Sequence, residues 1–317
     1  MTHIIIDSRI SVSSRDGFFK IFSAFPTMYS IYIPNDTDMV APLQTNISAR
    51  ARSIIAEKGL FTVLRSFGGK AEFSTRKGEM RKLKVREWQY SALTDDKICE
   101  ELTLNLLLSN LNSKMVVVSR IEKKNPDLSE LRAELENFQI SEVEDERWKT
   151  FLFTQEAAFS GTYFEVFGRY CEHLGWEFGA RSRRPAENPV NALLNYGYAV
   201  LKGTIDDLIM ASGLDPYVGF LHTLRPGRES LSFDLIEPFR APIVDMSVLE
   251  ILENSLLGQE DFEMRKDEVR LSPKAKEVLL KLIKLRTFIG VADSEALIVN
   301  MDHLVQEFIQ FISKCTS

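Results

Sequence analysis

The sequence predicts an α+β protein: a β-rich N-terminal domain, in sheet or sandwich form, followed by a larger all-α domain. Three observations carry that expectation. At 317 residues the chain exceeds what one hydrophobic core usually serves, so two domains are the default. Short β-branched and aromatic runs crowd the first third, and beyond Trp88 the apolar residues switch to helical period. With 44% hydrophobic and 26% charged residues, the composition excludes a fibrous or wholly disordered chain.

Taken in order, the runs Ile4–Ile6, Arg9–Val12, Phe18–Phe22, Tyr29–Ile33, Met39–Leu43 and Phe61–Leu64 read as strands, parted by turn formers such as Asp16-Gly17 and Pro34-Asn35-Asp36. Between them, Ile47, Ala51, Ile54 and Ile55 recur at helical spacing within Ile47–Lys58 until Gly59 stops the run. Phe67-Gly68-Gly69-Lys70 lacks the spacing of a phosphate-cradling loop and reads as a hairpin turn. Arg76, Lys77, Arg81, Lys82, Lys84 and Arg86, against Glu79 alone, mark a charged linker or hinge, which sets the domains at 1–80 and 81–317. Helical periodicity then runs through Ile98, Leu102, Leu106 and Leu107, through Leu128–Ile140, Trp148–Arg169, Val190–Leu201 and Ile205–Ala211, and through two long C-terminal runs. Asn188-Pro189 and Ser272-Pro273 each join an N-cap to a first-turn proline.

No segment approaches a bilayer span, and the start has neither a basic region nor a long apolar stretch, so a cytoplasmic protein without a membrane partner is expected. Three widely spaced cysteines suggest neither a disulfide framework nor a zinc site. The formal net charge of -6 argues against general nucleic-acid affinity, so any DNA contact must use local patches.

Among four histidines, His222 stands in the most informative setting, after Gly219-Phe220-Leu221. Downstream, Asp234 and Glu237 lie three apart in an apolar segment and so share one helical face. Buried carboxylates need a cation or a metal, and Arg225, Arg228 and Arg240 keep a plain salt bridge open. Glu156 sits in the aromatic stretch Phe151–Phe164, with Phe153, Phe159 and Tyr163 at helical offsets; a cleft or an exposed helix face both accommodate it. Core packing accounts for most of Tyr163, Trp176, Tyr196 and Tyr217.

The segment Asn188-Pro189-Val190-Asn191-Ala192-Leu193-Leu194-Asn195-Tyr196-Gly197-Tyr198-Ala199 resembles the signature of the CRISPR adaptation endonucleases, the Cas-one family. Gly213-Leu214-Asp215-Pro216, Gly219-Phe220-Leu221-His222, Ser230-Leu231, Asp234 through Arg240 and Asp245 continue the likeness in order and approximate spacing. The resemblance implies a β-rich dimerisation domain and a helical catalytic domain. It implies Glu156, His222 and Glu237 as metal ligands, with Asp234 a further acidic catalytic residue in the same pocket. At Glu156 the sequence departs from the family, because Ala157, Ala158 and Ser160-Gly161 follow.

One imidazole and two carboxylates suit an octahedral Mg²⁺ or Mn²⁺ that keeps water positions open. By resemblance, the reaction is insertion of new spacer DNA by attack of a 3′-hydroxyl on a phosphodiester, with nicking of branched DNA when water takes its place. The implied partners are double-stranded and branched DNA, a second copy in a homodimer, and a Cas-two protein bridging two dimers. Arg181, Arg183 and Arg184 are candidate phosphate contacts, a solvated charge run being the other explanation. Two further readings are a catalytically silent DNA-binding or scaffolding paralogue and a transposon-borne, casposon-type integrase.

Overall fold

The structure is a computed structural model. It describes residues 3–5, 10–15, 18–23, 29–34, 38–42, 46–58, 61–66, 69–74, 76–138, 140, 147–222, 226–266, 268–289 and 297–316. The turns read at Asp16-Gly17, Asn35-Asp36 and Phe67-Gly68, and the residue Arg225, lie outside them. The chain divides into two compact units, Met1–Asp95 with Ile205–Val218 and Asp302–Ser317, and Asp96–Thr204 with Gly219–Met301.

In the first unit the strands are β1 (His3–Ile5), β2 (Ile10–Arg15), β3 (Phe18–Ser23), β4 (Tyr29–Pro34), β5 (Asp38–Pro42), β6 (Asn46–Ile47), β7 (Phe61–Ser66) and β8 (Gly69–Ser74). Their backbones pair in the orders β1-β5-β7-β8 and β4-β3-β2-β6, with Ser66 opposite Gly69 across β7 and β8. Helix α1 (Ala49–Lys58) buries Ala51 and Ile55, one turn apart.

The charged stretch expected to be a linker is instead helical, the start of α2 (Arg76–Leu93). Lysine, arginine and glutamate are good helix formers, and here they also find fixed partners. Lys82 is buried and its ammonium donates to the Ala211 carbonyl, while Arg86 Nε donates to Gly213 O at 3.1 Å. Gln89 Nε2 donates to Asp215 O and Val218 O at 3.0 and 2.8 Å, and Gln89 Oε1 accepts from Asp215 N at 2.8 Å. Both cations thus meet carbonyls at the end of a helix, where positive charge is favoured. The last helix, α10 (Leu297–Cys315), buries Met301, Val305, Phe308 and Ile312 along one stripe.

The second unit is built around α3 (Asp96–Lys124), which packs against α5 (Trp148–His173), α7 (Ser230–Phe239) and the turn after α7. Leu106, Val117 and Ile121 of α3 share the core with Leu152, Phe159 and Phe167 of α5 and with Leu231 and Leu235 of α7. The expected helix Leu128–Ile140 is shorter, a 3₁₀ turn Pro126–Leu128 leading into α4 (Ser129–Glu136). The runs Val190–Leu201 and Ile205–Ala211 form one helix, α6 (Pro189–Ser212), which Gly203 does not interrupt. Both cap readings hold: Asn188 Oδ1 accepts from Asn191 N at 2.8 Å, and Ser272 Oγ from Ala275 N at 3.1 Å at the head of α9 (Pro273–Lys284).

The unit is mostly helical but not wholly so. After α8 (Met246–Glu253), strands β9 (Phe262–Arg265) and β10 (Glu268–Leu271) form an antiparallel pair, with Phe262 opposite Leu271. In β10 burial alternates with the strand period: Val269 and Leu271 are buried and Arg270 is exposed. Between α7 and α8 the backbone opens into a wide π turn, Arg240–Asp245. Pro242 has no N–H to bond the carbonyl four residues back, so the ordinary helical ladder cannot run through it.

Candidate active site

Helices α3, α5, α6 and α7 and the loop before α7 enclose a cavity of about 1520 Å³ within the second unit. Glu156, His222, Asp234 and Glu237 all line it, as do Arg181, Arg183 and Arg184. Residues far apart in sequence are thereby brought to one place by helix packing.

Asp234 sets the geometry of the loop that carries His222. Its buried carboxylate accepts from the backbone N–H groups of Phe220, Leu221 and His222 at 2.7, 3.1 and 3.2 Å. Its Oδ1 also lies 2.5 Å from His222 Nδ1. Nδ1 is thus the engaged ring nitrogen, and Nε2 is left for another ligand, the arrangement by which an outer carboxylate orients a histidine. Edge-on rings of Phe153 and tilted Phe233, at 5.6 and 5.9 Å between centroids, box the imidazole. Gly219 is required by close approach, because a Cβ there would sit 2.6 Å from Asp234 Oδ2 and 2.7 Å from the Ser230 carbonyl carbon.

The two glutamates are each matched by a cation. Glu156 Oε1 lies 3.3 Å from the ammonium of buried Lys114 and accepts from Ser160 Oγ at 2.5 Å. Burial alone would push the Glu156 carboxyl up, but the Lys114 charge and these hydrogen bonds outweigh it and hold it below its ordinary value. Glu237 Oε1 pairs with Arg240 at 2.6 Å, so of the two described arginines considered from sequence, Arg240 is its salt-bridge partner. Arg228 instead lies over the Phe233 ring at 5.1 Å.

A buried hub joins these cations. Asp245 accepts from Tyr163 Oη at 2.6 Å and from Tyr198 Oη at 2.5 Å. The Tyr163 ring has the Lys114 ammonium 5.6 Å from its centroid, and the Tyr198 ring has the guanidiniums of Arg240 and Arg181 at 4.8 and 5.4 Å. Burial pushes the Asp245 carboxyl above its ordinary range, against the two tyrosine hydrogen bonds. The π turn places Arg240 and Asp245 at its two ends.

Of the arginines, Arg181 is fixed by Asn191 Oδ1 at 2.8 Å and Asn195 Oδ1 at 2.7 Å, whereas Arg183 and Arg184 are exposed. Sequence reasoning missed Lys114 and the Tyr198–Asp245 pair. Tyr163 was legible at a helical offset from Glu156, but Lys114 carries no local motif.

Among the described residues, no group of three or more His, Cys, Asp and Glu side chains closes on a common point in the manner of a formed metal centre. The donor chemistry nevertheless fits a hard divalent ion: one oriented imidazole and two carboxylates line one cavity, and the hydrogen bonds and ion pairs to both glutamates fall on Oε1.

One cavity of the helical unit thus gathers carboxylates, an oriented imidazole and fixed guanidiniums. The family profile described as "CRISPR associated protein Cas1" matches residues 5–284, and the chain belongs to that family. CRISPR-associated endonuclease Cas1 1 of Thermus thermophilus is 39% identical over 133 residues, 42% of this chain and 42% of that protein. The chain therefore spans about two fifths of the length of the first curated relatives it matches.

Two solved structures share the fold over 99% of this chain and 96% of theirs. A chain of a partial Cas6-RT-Cas1–Cas2 complex has a TM-score of 0.84 at 16% identity, and a casposase bound to integration product 0.76 at 19%. Among the described residues no helix is long and apolar enough to cross a membrane.

Proposed function

We propose that this chain is a divalent-metal-dependent DNA endonuclease and strand-transfer integrase that inserts new spacer DNA into a CRISPR array. The observation that carries the reading is the His222–Asp234 pair, with Nδ1 engaged at 2.5 Å, in the cavity that Glu156 and Glu237 also line. Glu156, His222 and Glu237 are the residues to hold Mg²⁺ or Mn²⁺, and Asp234 orients the imidazole. When bound, such an ion supplies Lewis-acid stabilisation of charge on a phosphodiester.

The protein's own contribution is to position DNA. Arg181 is preset by two asparagines to contact phosphate, and exposed Arg183 and Arg184 extend that basic edge. The reaction exchanges one phosphodiester for another: a 3′-hydroxyl oxygen bonds to phosphorus as the resident 3′-oxygen leaves and takes a proton. Water in place of the 3′-hydroxyl gives a nick in branched DNA.

The remaining parts extend the same proposal. A β-rich domain, residues 1–80, pairs two copies as a homodimer, and the second unit carries the catalytic site. A Cas2 protein bridges two dimers, a reading supported by the Cas1–Cas2 complex of similar fold. The site of action is the cytoplasm. The casposase likeness supports the casposon-type alternative, with the same residues in the same roles.

One observation favours the silent DNA-binding paralogue instead: Glu156 is already satisfied by Lys114 and Ser160. A nicking and strand-transfer assay on branched DNA separates the readings, using Mg²⁺, Mn²⁺ or EDTA with the unaltered chain, Glu156→Ala and His222→Ala. The integrase reading expects activity lost in both variants and in EDTA. DNA bound but cut in neither metal would instead establish the silent paralogue.

A further inference from the structure

Lys114 has no part in the chemistry above, yet it is buried in the wall of the cavity and its ammonium faces a candidate metal ligand. A buried lysine is costly unless its charge is matched, and here it is matched by the Glu156 carboxylate, the Ser160 hydroxyl at 2.5 Å and the Tyr163 ring. A divalent ion arriving at Glu156 meets a positive charge already in possession.

A second observation shows where that charge can go. Asn110 lies one helical turn before Lys114 on α3, lines the same cavity and is buried. Its Oδ1 has no hydrogen-bond partner, although buried acceptors are nearly always satisfied. Residues four apart on a helix are neighbours, and an ammonium has three donors to place.

We infer that Lys114 is a resident counter-cation that competes with the divalent ion for Glu156 and moves to Asn110 Oδ1 when the ion binds. The inference rests on the metal reading of the site. Metal entry is then an exchange of one cation for another, so the metal-free site carries no uncompensated carboxylate at Glu156. Half-occupancy then needs a higher ion concentration than it would in a site of bare carboxylates.

The test is calorimetric titration of Mn²⁺ alone into the EDTA-stripped full chain, without DNA. Lys114→Met should bind Mn²⁺ about tenfold or more tightly than the unaltered chain, the scale on which one neighbouring charge moves a carboxylate's affinity for a proton. Asn110→Leu keeps the lysine but removes its alternate acceptor, so it should bind Mn²⁺ more weakly. Opposite shifts in the two variants support the exchange, and Asn110→Leu still decides if Lys114→Met fails to fold. Unchanged or weaker binding in folded Lys114→Met, or unchanged binding in Asn110→Leu, overturns it. Should Mn²⁺ bind the unaltered chain, vanish in His222→Ala and ignore both α3 variants, this inference fails and the metal site stands. No Mn²⁺ binding to the unaltered chain sinks both.

Discussion

Replacing Asp234 by alanine should cost about 3–5 kcal/mol of stability in the second unit. The carboxylate accepts three backbone N–H groups at 2.7, 3.1 and 3.2 Å and faces His222 Nδ1 at 2.5 Å. Hydrogen bonds to a charged group contribute about 1.5–3 kcal/mol each, and the 3.2 Å contact is the weakest of the set. Full additivity would overshoot, because His222 is partly open to solvent and water can satisfy part of what is lost. The assay is urea unfolding followed by tryptophan fluorescence in a Trp88→Phe background, where Trp148 and buried Trp176 report on the second unit. Asp234→Asn keeps one acceptor oxygen and should fall between. A loss below about 1 kcal/mol in Asp234→Ala would refute the claim that this carboxylate holds the loop together.

Three further outcomes follow. Gly219→Ala should destabilise by about 1–3 kcal/mol, since its methyl would meet Asp234 and the Ser230 backbone, neither of which can yield easily; a neutral result in urea unfolding would contradict the packing. Glu156, held below its ordinary value in the folded state, contributes stability above that ordinary value and loses it as pH falls through the depressed one. Urea midpoints across the acid range should therefore fall more for the unaltered chain than for Glu156→Gln, and parallel curves would count against the Lys114 pairing. Finally, an Ellman titration should count one reactive thiol in the native protein, exposed Cys315, and all three cysteines after denaturation, because Cys99 and Cys171 are buried. For Cys171, burial also pushes the thiol far above its ordinary range.

Local signals were the most legible. Caps at Asn188 and Ser272 act over three residues, so sequence alone places the starts of α6 and α9. Charge density misled at Arg76–Arg86, because the partners that make it a helix are Ala211 and Gly213, more than a hundred residues away. The β9–β10 pair escaped the helical reading because its strands are only four residues each, too short to set an apolar run apart.

In the candidate site, Glu156, His222, Asp234 and Glu237 were all named from sequence, and one cavity receives them. Residue type and resemblance suffice to bring these four to notice. They do not suffice for Lys114, which matters only because α3 packs on α5 and lays it against Glu156. Nor did the pattern distinguish Asp234 from Glu237, three residues apart on α7: one is buried beneath the His222 loop and the other is paired with Arg240.

The most direct test of the central claim is anomalous diffraction from a crystal of the chain soaked in Mn²⁺. The account predicts one strong peak in the cavity, bound by Glu156, His222 Nε2 and Glu237 at about 2.0–2.3 Å, with Lys114 withdrawn from Glu156. Saturating Mn²⁺ that leaves the cavity without a peak, with Lys114 still on Glu156, would contradict it.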